Sequence, residues 1–163
     1  MTSSPLGKQP DSPADPPPHD WRQHWNAAAR QIAWLVPHDA LALAARVSVA
    51  AIFFQSGRTK VEGLLQVTPG AIELFRTEYK LPVLSPEVAA HLAAYAEHLL
   101  PMLLMLGLGT RLAALGLLGM TLVIQLFVYP DAWATHLSWA ALLAYLASRG
   151  AGKASIDRVL RIT

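Results

Sequence analysis

The chain has 163 residues, 53% of them hydrophobic and 15% charged, with a formal net charge of +2. That length suits one domain, and the absence of cysteine removes thiol nucleophiles, disulfides, Cys-ligated zinc and cluster sulfurs from the chemistry it performs alone. The basic residues lie at the edges of apolar runs rather than in one stripe, which argues against nucleic-acid binding.

Residues 1–20 are rich in Pro, Ser and Asp and hold no apolar stretch of signal-peptide type, so a disordered tail is expected there. Over 21–36, Trp21, Trp25, Ala28, Ile32 and Leu35 recur at helical spacing with Arg22, Gln23, Asn26 and Arg30 opposite. This spacing predicts an amphipathic interfacial helix, suited to a headgroup plane or to a partner protein. Pro37 breaks it, and Asp39 offers an N-cap for the next helix.

Four apolar runs follow, at about 39–56, 86–108, 110–129 and 132–149. A spanning helix needs about 20 apolar residues at roughly 1.5 Å each, which the first and last runs meet only narrowly. The third, Leu112 to Val128, has Gln125 as its one strongly polar side chain and no face to show to water. Between the first two runs, Thr68-Pro69 reads as the start of a short helix to about Lys80, with Ile72, Phe75 and Tyr79 on one face, lying across the outer mouth. Ser85-Pro86-Glu87 caps the second span, and the other connections are tight turns that make neighbours antiparallel. The expected fold is therefore all-α: an integral membrane up-down four-helix bundle over 37–163, with an N-terminal amphipathic helix and a short outer-loop helix. Ala113, Gly116 and Gly119 in the third span and Ala140 and Ala144 in the fourth read as close-packing positions. Lys8, Arg22, Arg30, Arg111, Arg149, Lys153, Arg158 and Arg161 fall on one side, while Arg58, Lys60, Arg76 and Lys80 on the other are offset by glutamates. The positive-inside rule then puts both termini in the cytoplasm.

Ionisable groups inside a span are costly and by default functional. The second span carries His91, Tyr95, Glu97 and His98, followed by Pro101. On straight helices Arg46 and Glu97 lie about 10 and 16 Å from the same edge, within reach of one arginine side chain. The expectation is an Arg46–Glu97 pair, read either as a structural brace or as a charge that also handles protons or ligand. Pro101 leaves the carbonyl of residue 97 without its helical donor, which predicts a kink and a polar pocket. Gln55, Ser56, Lys60, His91, Gln125, Tyr129 and His136 converge near the outer end, while His91, Tyr95 and His98 share a second face of their helix. That set suits the head group of an amphiphile such as a quinone. The competing reading is aromatic-belt solvation. Metal or haem ligation by His91, His98 and His136 ranks lower, because no two form a tight ligand pair, and no metal site is assigned.

The succession Leu43-Ala-Ala-Arg46 to Phe54-Gln-Ser-Gly57-Arg-Thr-Lys60, then Ala96-Glu97, Leu106-Gly107-Leu-Gly109-Thr110-Arg111, and finally Arg149-Gly150-Ala-Gly152-Lys-Ala-Ser155-Ile-Asp157-Arg158, resembles the DoxX family of bacterial four-span membrane proteins over roughly 39–160. Arg46, Gly57, Lys60, Glu97, Gly107 and Arg111 carry the pattern; the histidines do not. The resemblance implies an inner-membrane protein of redox systems, since relatives are named for a terminal quinol oxidase complex or form the membrane part of thiosulfate:quinone oxidoreductases. Other relatives are linked to thiol and oxidative stress, and one branch accompanies peptide-modifying iron enzymes. The leading expectation is a membrane subunit or accessory of a quinone-linked oxidoreductase with a redox-enzyme partner, its oligomeric state open. Its catalytic candidates are Glu97 and Arg46, and its ligand-binding candidates Gln55, Lys60, His91, Tyr95, His98, Gln125 and His136. A non-catalytic anchor or assembly factor is the alternative, and a small-solute transporter a weaker third.

Overall fold

The computed structural model describes residues 21–162; the expected tail at 1–20 lies outside them. Trp21–Leu35 forms helix α1, none of whose residues is buried, and it is a unit separate from the remainder of the chain.

Four long helices make the second unit: α2 (His38–Arg58), α4 (Pro86–Leu106), α5 (Thr110–Val123, prolonged by a wider π-type turn over Ile124–Val128) and α6 (Trp133–Arg149). They close a ring in which α2 packs on α4, α4 on α5, α5 on α6 and α6 back on α2. The core is built largely from small and branched residues, Ala42, Ala45, Val49, Ala113, Ala114, Leu117, Leu143 and Leu146 among them. Its outside is apolar as well: Leu92, Leu99, Met102, Leu115, Leu122, Leu126 and Leu137 are each more than half exposed. A water-soluble bundle does not present such a surface, whereas one solvated by acyl chains does.

Three of the helices, α2, α4 and α5 with its continuation to Val128, are long and apolar enough to cross a membrane. Helix α6, with 17 residues, rises only about 26 Å. It completes the bundle but falls short of the roughly 30 Å hydrocarbon core that a straight helix must span.

Local chemistry sets the ends of these helices. Thr68 Oγ1 accepts from Ala71 N at 3.1 Å to start α3 (Pro69–Leu74), which continues as a π-type turn to Tyr79 and stops where Lys80 turns left-handed at φ 40°. Ser85 Oγ accepts from Val88 N at 3.4 Å and Pro86 follows, so α4 starts as its sequence predicts. Asp39 departs from expectation. Helix α2 begins at His38 with no side-chain cap, and the Asp39 carboxylate instead accepts from Lys153 N and Nζ, both at 3.0 Å. The hairpin of β1 (Val61–Glu62) and β2 (Gln66–Val67), antiparallel with Val61 opposite Val67, carries no apolar run long enough to announce it. It joins α2 to α3, and this end of the bundle is called the hairpin end below.

The small-residue stripe is used only in part. A Cβ on Gly116 would lie 2.9 Å from Leu100 Cδ1, so that glycine sets a close approach of α5 to α4. Gly119 faces open space and Ala144 is exposed, so neither acts as a packing position.

Candidate functional site

Glu97 faces the last turn of α2. Lys60 Nζ donates to Glu97 Oε2 at 2.7 Å, to Ser56 Oγ at 3.0 Å and to the Ser56 carbonyl at 3.2 Å, while Ser56 Oγ donates to Glu97 Oε1 at 3.2 Å. Both charged side chains are buried, at 6% and 4% exposure. The cluster closes on itself: all three ammonium protons are spent and each carboxylate oxygen accepts one bond, which leaves the carboxylate lone pairs to offer. An ion pair this dry needs such saturation to offset desolvation.

Arg46 is not its partner, which corrects the expected Arg46–Glu97 pair. The Arg46 guanidinium donates to the carbonyls of Leu104 (2.7 Å), Met105 (2.7 Å), Ala151 (2.9 Å) and Ala154 (2.7 Å), at the opposite end of the bundle. The last carbonyls of α4 run out of regular helical donors, Leu104 keeping only a 3.1 Å bond from Gly107 N, and a planar fork with five N–H groups can meet several of them at once. Antiparallel packing sets Glu97 level with Ser56, ten residues along α2 from Arg46 and so about 15 Å away. Gly107 belongs to the same brace, since it turns at φ +66° and a Cβ there would lie 2.5 Å from Ser155 Cβ and 3.0 Å from Arg46 Nη2.

A cavity of about 440 Å³ opens beside the Lys60–Glu97 cluster. Ile52, Phe53, Ala93, Met120 and Ile124 make its apolar walls, His136 and Trp139 of α6 face it, and Phe75, Tyr79 and Tyr129 close it toward the hairpin end. The Tyr79 and Tyr129 hydroxyls are 3.5 Å apart, with the rings edge to face at 5.8 Å. Burial, and then the Tyr129 hydroxyl, push the Tyr79 phenol above its ordinary value, so it stays protonated at physiological pH. One hydroxyl can donate to the other, and the second proton remains for a ligand.

Hydrogen bonding fixes the state of His136. Gln125 Nε2 donates to the Pro130 carbonyl at 2.7 Å, which turns Gln125 Oε1 toward His136 Nδ1, also at 2.7 Å. A carbonyl only accepts, so the amide cannot be reversed and Nδ1 must carry the proton. The Nε2 lone pair then has no partner among the described residues, yet it is not sealed off as His98 Nε2 is. The π-type turn at the end of α5 is what holds Gln125 in place for this.

The remaining candidates fall elsewhere. Gln55 and Tyr95 are exposed and do not line the cavity. His91 Nδ1 donates to the Glu87 carbonyl of its own helix at 2.7 Å and its ring rests on Tyr95. His98 is buried against Gly57 and the edge of Phe54, with Nδ1 donating to the Ala94 carbonyl at 2.6 Å. Gln125 acts on the cavity only through His136. Among the described residues no three of His, Asp and Glu come together as a metal site, so His91, His98 and His136 do not converge. Of the proposed set, then, Lys60, Glu97 and His136 meet. Ser56, Tyr79, Tyr129 and Trp139 join them, and of these Tyr79 was signalled only by the apolar face of its loop helix.

No curated protein and no solved structure matches the chain. The sequence model of one family, DoxX, matches residues 41–130, which take in α2, the hairpin, α3, α4 and α5 and so most of the cavity, and end just before α6 with His136 and Trp139. More than half of the chain is covered, and it therefore belongs to the DoxX family of membrane proteins.

Proposed function

We propose that this chain is the membrane subunit or accessory of a quinone-linked redox system, and that the cavity beside Lys60 and Glu97 receives the quinone head group. The observation that supports this most is the pairing of opposite hydrogen-bonding capacities across one apolar space. The Glu97 carboxylate and His136 Nε2 accept, while the Tyr79–Tyr129 pair retains a proton to donate. A quinone carbonyl requires a donor and a quinol hydroxyl an acceptor, and these residues fit both forms. A bound quinone would supply two-electron, two-proton chemistry; the chain's share is to orient the ring, exclude water and hold a proton at Glu97 or His136. Gln55, His91, Tyr95 and His98 have no part in this reading, and Arg46 acts on the fold alone. On this reading the oxidoreductase partner docks on the cytoplasmic side of a bacterial inner membrane, the side on which the excess of lysine and arginine leads us to expect both termini.

The test is purification of the full chain in mild detergent, extraction and identification of quinone, and titration with short-chain quinone and quinol. Binding should be lost in His136→Phe and weakened in Glu97→Gln while both variants keep native helical content. Retention of binding by both variants refutes the site, and absence of any quinone or quinol binding refutes the function.

The anchor or assembly-factor reading draws on a separate observation. Helix α1 leaves Trp21, Trp25, Ile32, Trp34 and Leu35 more than 60% exposed, a surface that fits a headgroup plane or a partner protein. Cellular redox activity that survives Glu97→Gln and His136→Phe but disappears on deletion of 21–35 favours it.

A further inference from the structure

The end of the bundle opposite the hairpin carries a second cavity, of about 590 Å³, which plays no part in the quinone reading. It lies where the α4–α5 turn meets the segment after α6, and its charged lining is Asp39, Arg111, Arg149, Lys153, Asp157 and Arg158.

Four cations against two carboxylates is already an imbalance, and the carboxylates are committed elsewhere. Asp39 is held by the backbone and ammonium of Lys153. Asp157, 8% exposed, accepts from Gly109 N at 2.7 Å and Thr110 N at 3.0 Å, capping α5. Arg111 spends one nitrogen on the carbonyls of Ala147 and Ser148, and its charge has no counter-ion among the described residues. Arg149 and Arg158 make no side-chain hydrogen bond or ion pair among the described residues, and both are exposed. None of the three guanidiniums is paired with a carboxylate among the described residues, and with Lys153 set against Asp39 and the charge of Asp157 counted, the lining keeps an excess of two positive charges. The planar donor fork of arginine matches phosphate oxygens in pairs.

The rim decides between a lipid and a free anion. Leu112 (76% exposed) and Ile162 (53%) line the same cavity, with Val159 (79%) next along α7 (Ile156–Val159). Exposed apolar side chains beside unpaired guanidiniums are what a molecule with a phosphate head and acyl chains needs, and a soluble phosphate gains nothing from them. We propose that this cavity is a binding site for the phosphate head group of an anionic glycerophospholipid, gripped by Arg111, Arg149 and Arg158.

The experiment uses the full chain in mild detergent, titrated with phosphatidylglycerol, phosphatidylcholine or inorganic phosphate and read by native mass spectrometry. Phosphatidylglycerol should bind in preference to phosphatidylcholine. The Arg149→Gln/Arg158→Gln double variant should weaken it by roughly tenfold or more, and the double lysine variant should weaken it less. Both arginines are exposed and without partners among the described residues, so helical content and thermal midpoint should not move. Equal retention of phosphatidylglycerol by wild type and the glutamine variant overturns the site. Equal retention of the two lipids overturns the charge selectivity, and inorganic phosphate competing at the concentration of the lipid overturns the assignment to lipid. A topology reporter fused after Thr163 should read the same in the variant, which separates lipid binding from the orienting effect of the same charges.

Discussion

Lys60 and Glu97, 37 positions apart, form a 2.7 Å ion pair that Ser56 closes into a ring of hydrogen bonds. It ties the last turn of α2 to the middle of α4 and forms one wall of the main cavity. Removing one partner leaves the other charge buried and alone, at a cost of about 3–5 kcal/mol. Lys60→Met should therefore lower the thermal midpoint in detergent sharply. Lys60→Met/Glu97→Leu should recover most of that loss while ligand binding stays weakened. If the double variant is no more stable than the single one, the pair is not what sets the cost.

Arg46 makes the contrasting case, being buried and charged but remote from the cavity. Its four carbonyl acceptors need a fork, and lysine offers one compact ammonium. With each lost bond to a charged donor worth about 1.5–3 kcal/mol, Arg46→Lys should destabilise the fold by at least one such bond and leave quinone affinity unchanged. A thermal melt beside a binding titration checks both halves. Lost affinity at full stability contradicts the structural role.

These two residues show what could be read from the chain. Hydrophobic runs and prolines mark every long helix within a few residues and Ser85 marks the cap of α4, because burial in lipid and capping act locally along the sequence. The buried charges at Arg46 and Glu97 were just as legible, since their cost shows in any apolar run. Their partners were not. Depth along a straight helix does not name an acceptor, and the Leu104 and Met105 carbonyls at the end of α4, short of regular helical donors, hold Arg46 more fully than Glu97 could. Lys60 looked like a loop residue because the turn that folds it back, Thr59–Lys60 into the hairpin, has no strong sequence signature. Tyr79 came to the cavity through the same loop.

Glycines in one chain should respond in opposite ways. At Gly107 alanine meets both a left-handed backbone, φ +66°, and Ser155, whose Cα lies 2.9 Å from the new Cβ. Overpacking against backbone costs about 1–3 kcal/mol and the conformation adds roughly 1 kcal/mol. Gly119→Ala adds a methyl to open space inside a helix, which is neutral or stabilising by up to about 1 kcal/mol. Thermal midpoints in the same detergent should fall for the first and hold or rise for the second.

Gln125 touches no ligand in this reading, so its substitution isolates the positioning of His136. With the amide fixed by Pro130, Nδ1 of His136 carries the proton and Nε2 offers the lone pair. Nitrogen-15 chemical shifts of labelled histidine in detergent should show the Nδ1–H form for His136, distinguished from the others by its loss in His136→Phe. Gln125→Leu removes the acceptor, and the ring should drift toward the Nε2–H form that free imidazole favours. A quinol hydroxyl would then face a donor instead of an acceptor. The loss of one hydrogen bond, about 1 kcal/mol, corresponds to roughly a fivefold weaker quinol affinity. Quinone, which accepts through its carbonyls, should lose less. Should wild-type His136 show the Nε2–H form, or Gln125→Leu weaken both ligands alike, the imidazole does not distinguish the two redox states and the accepting role falls to Glu97.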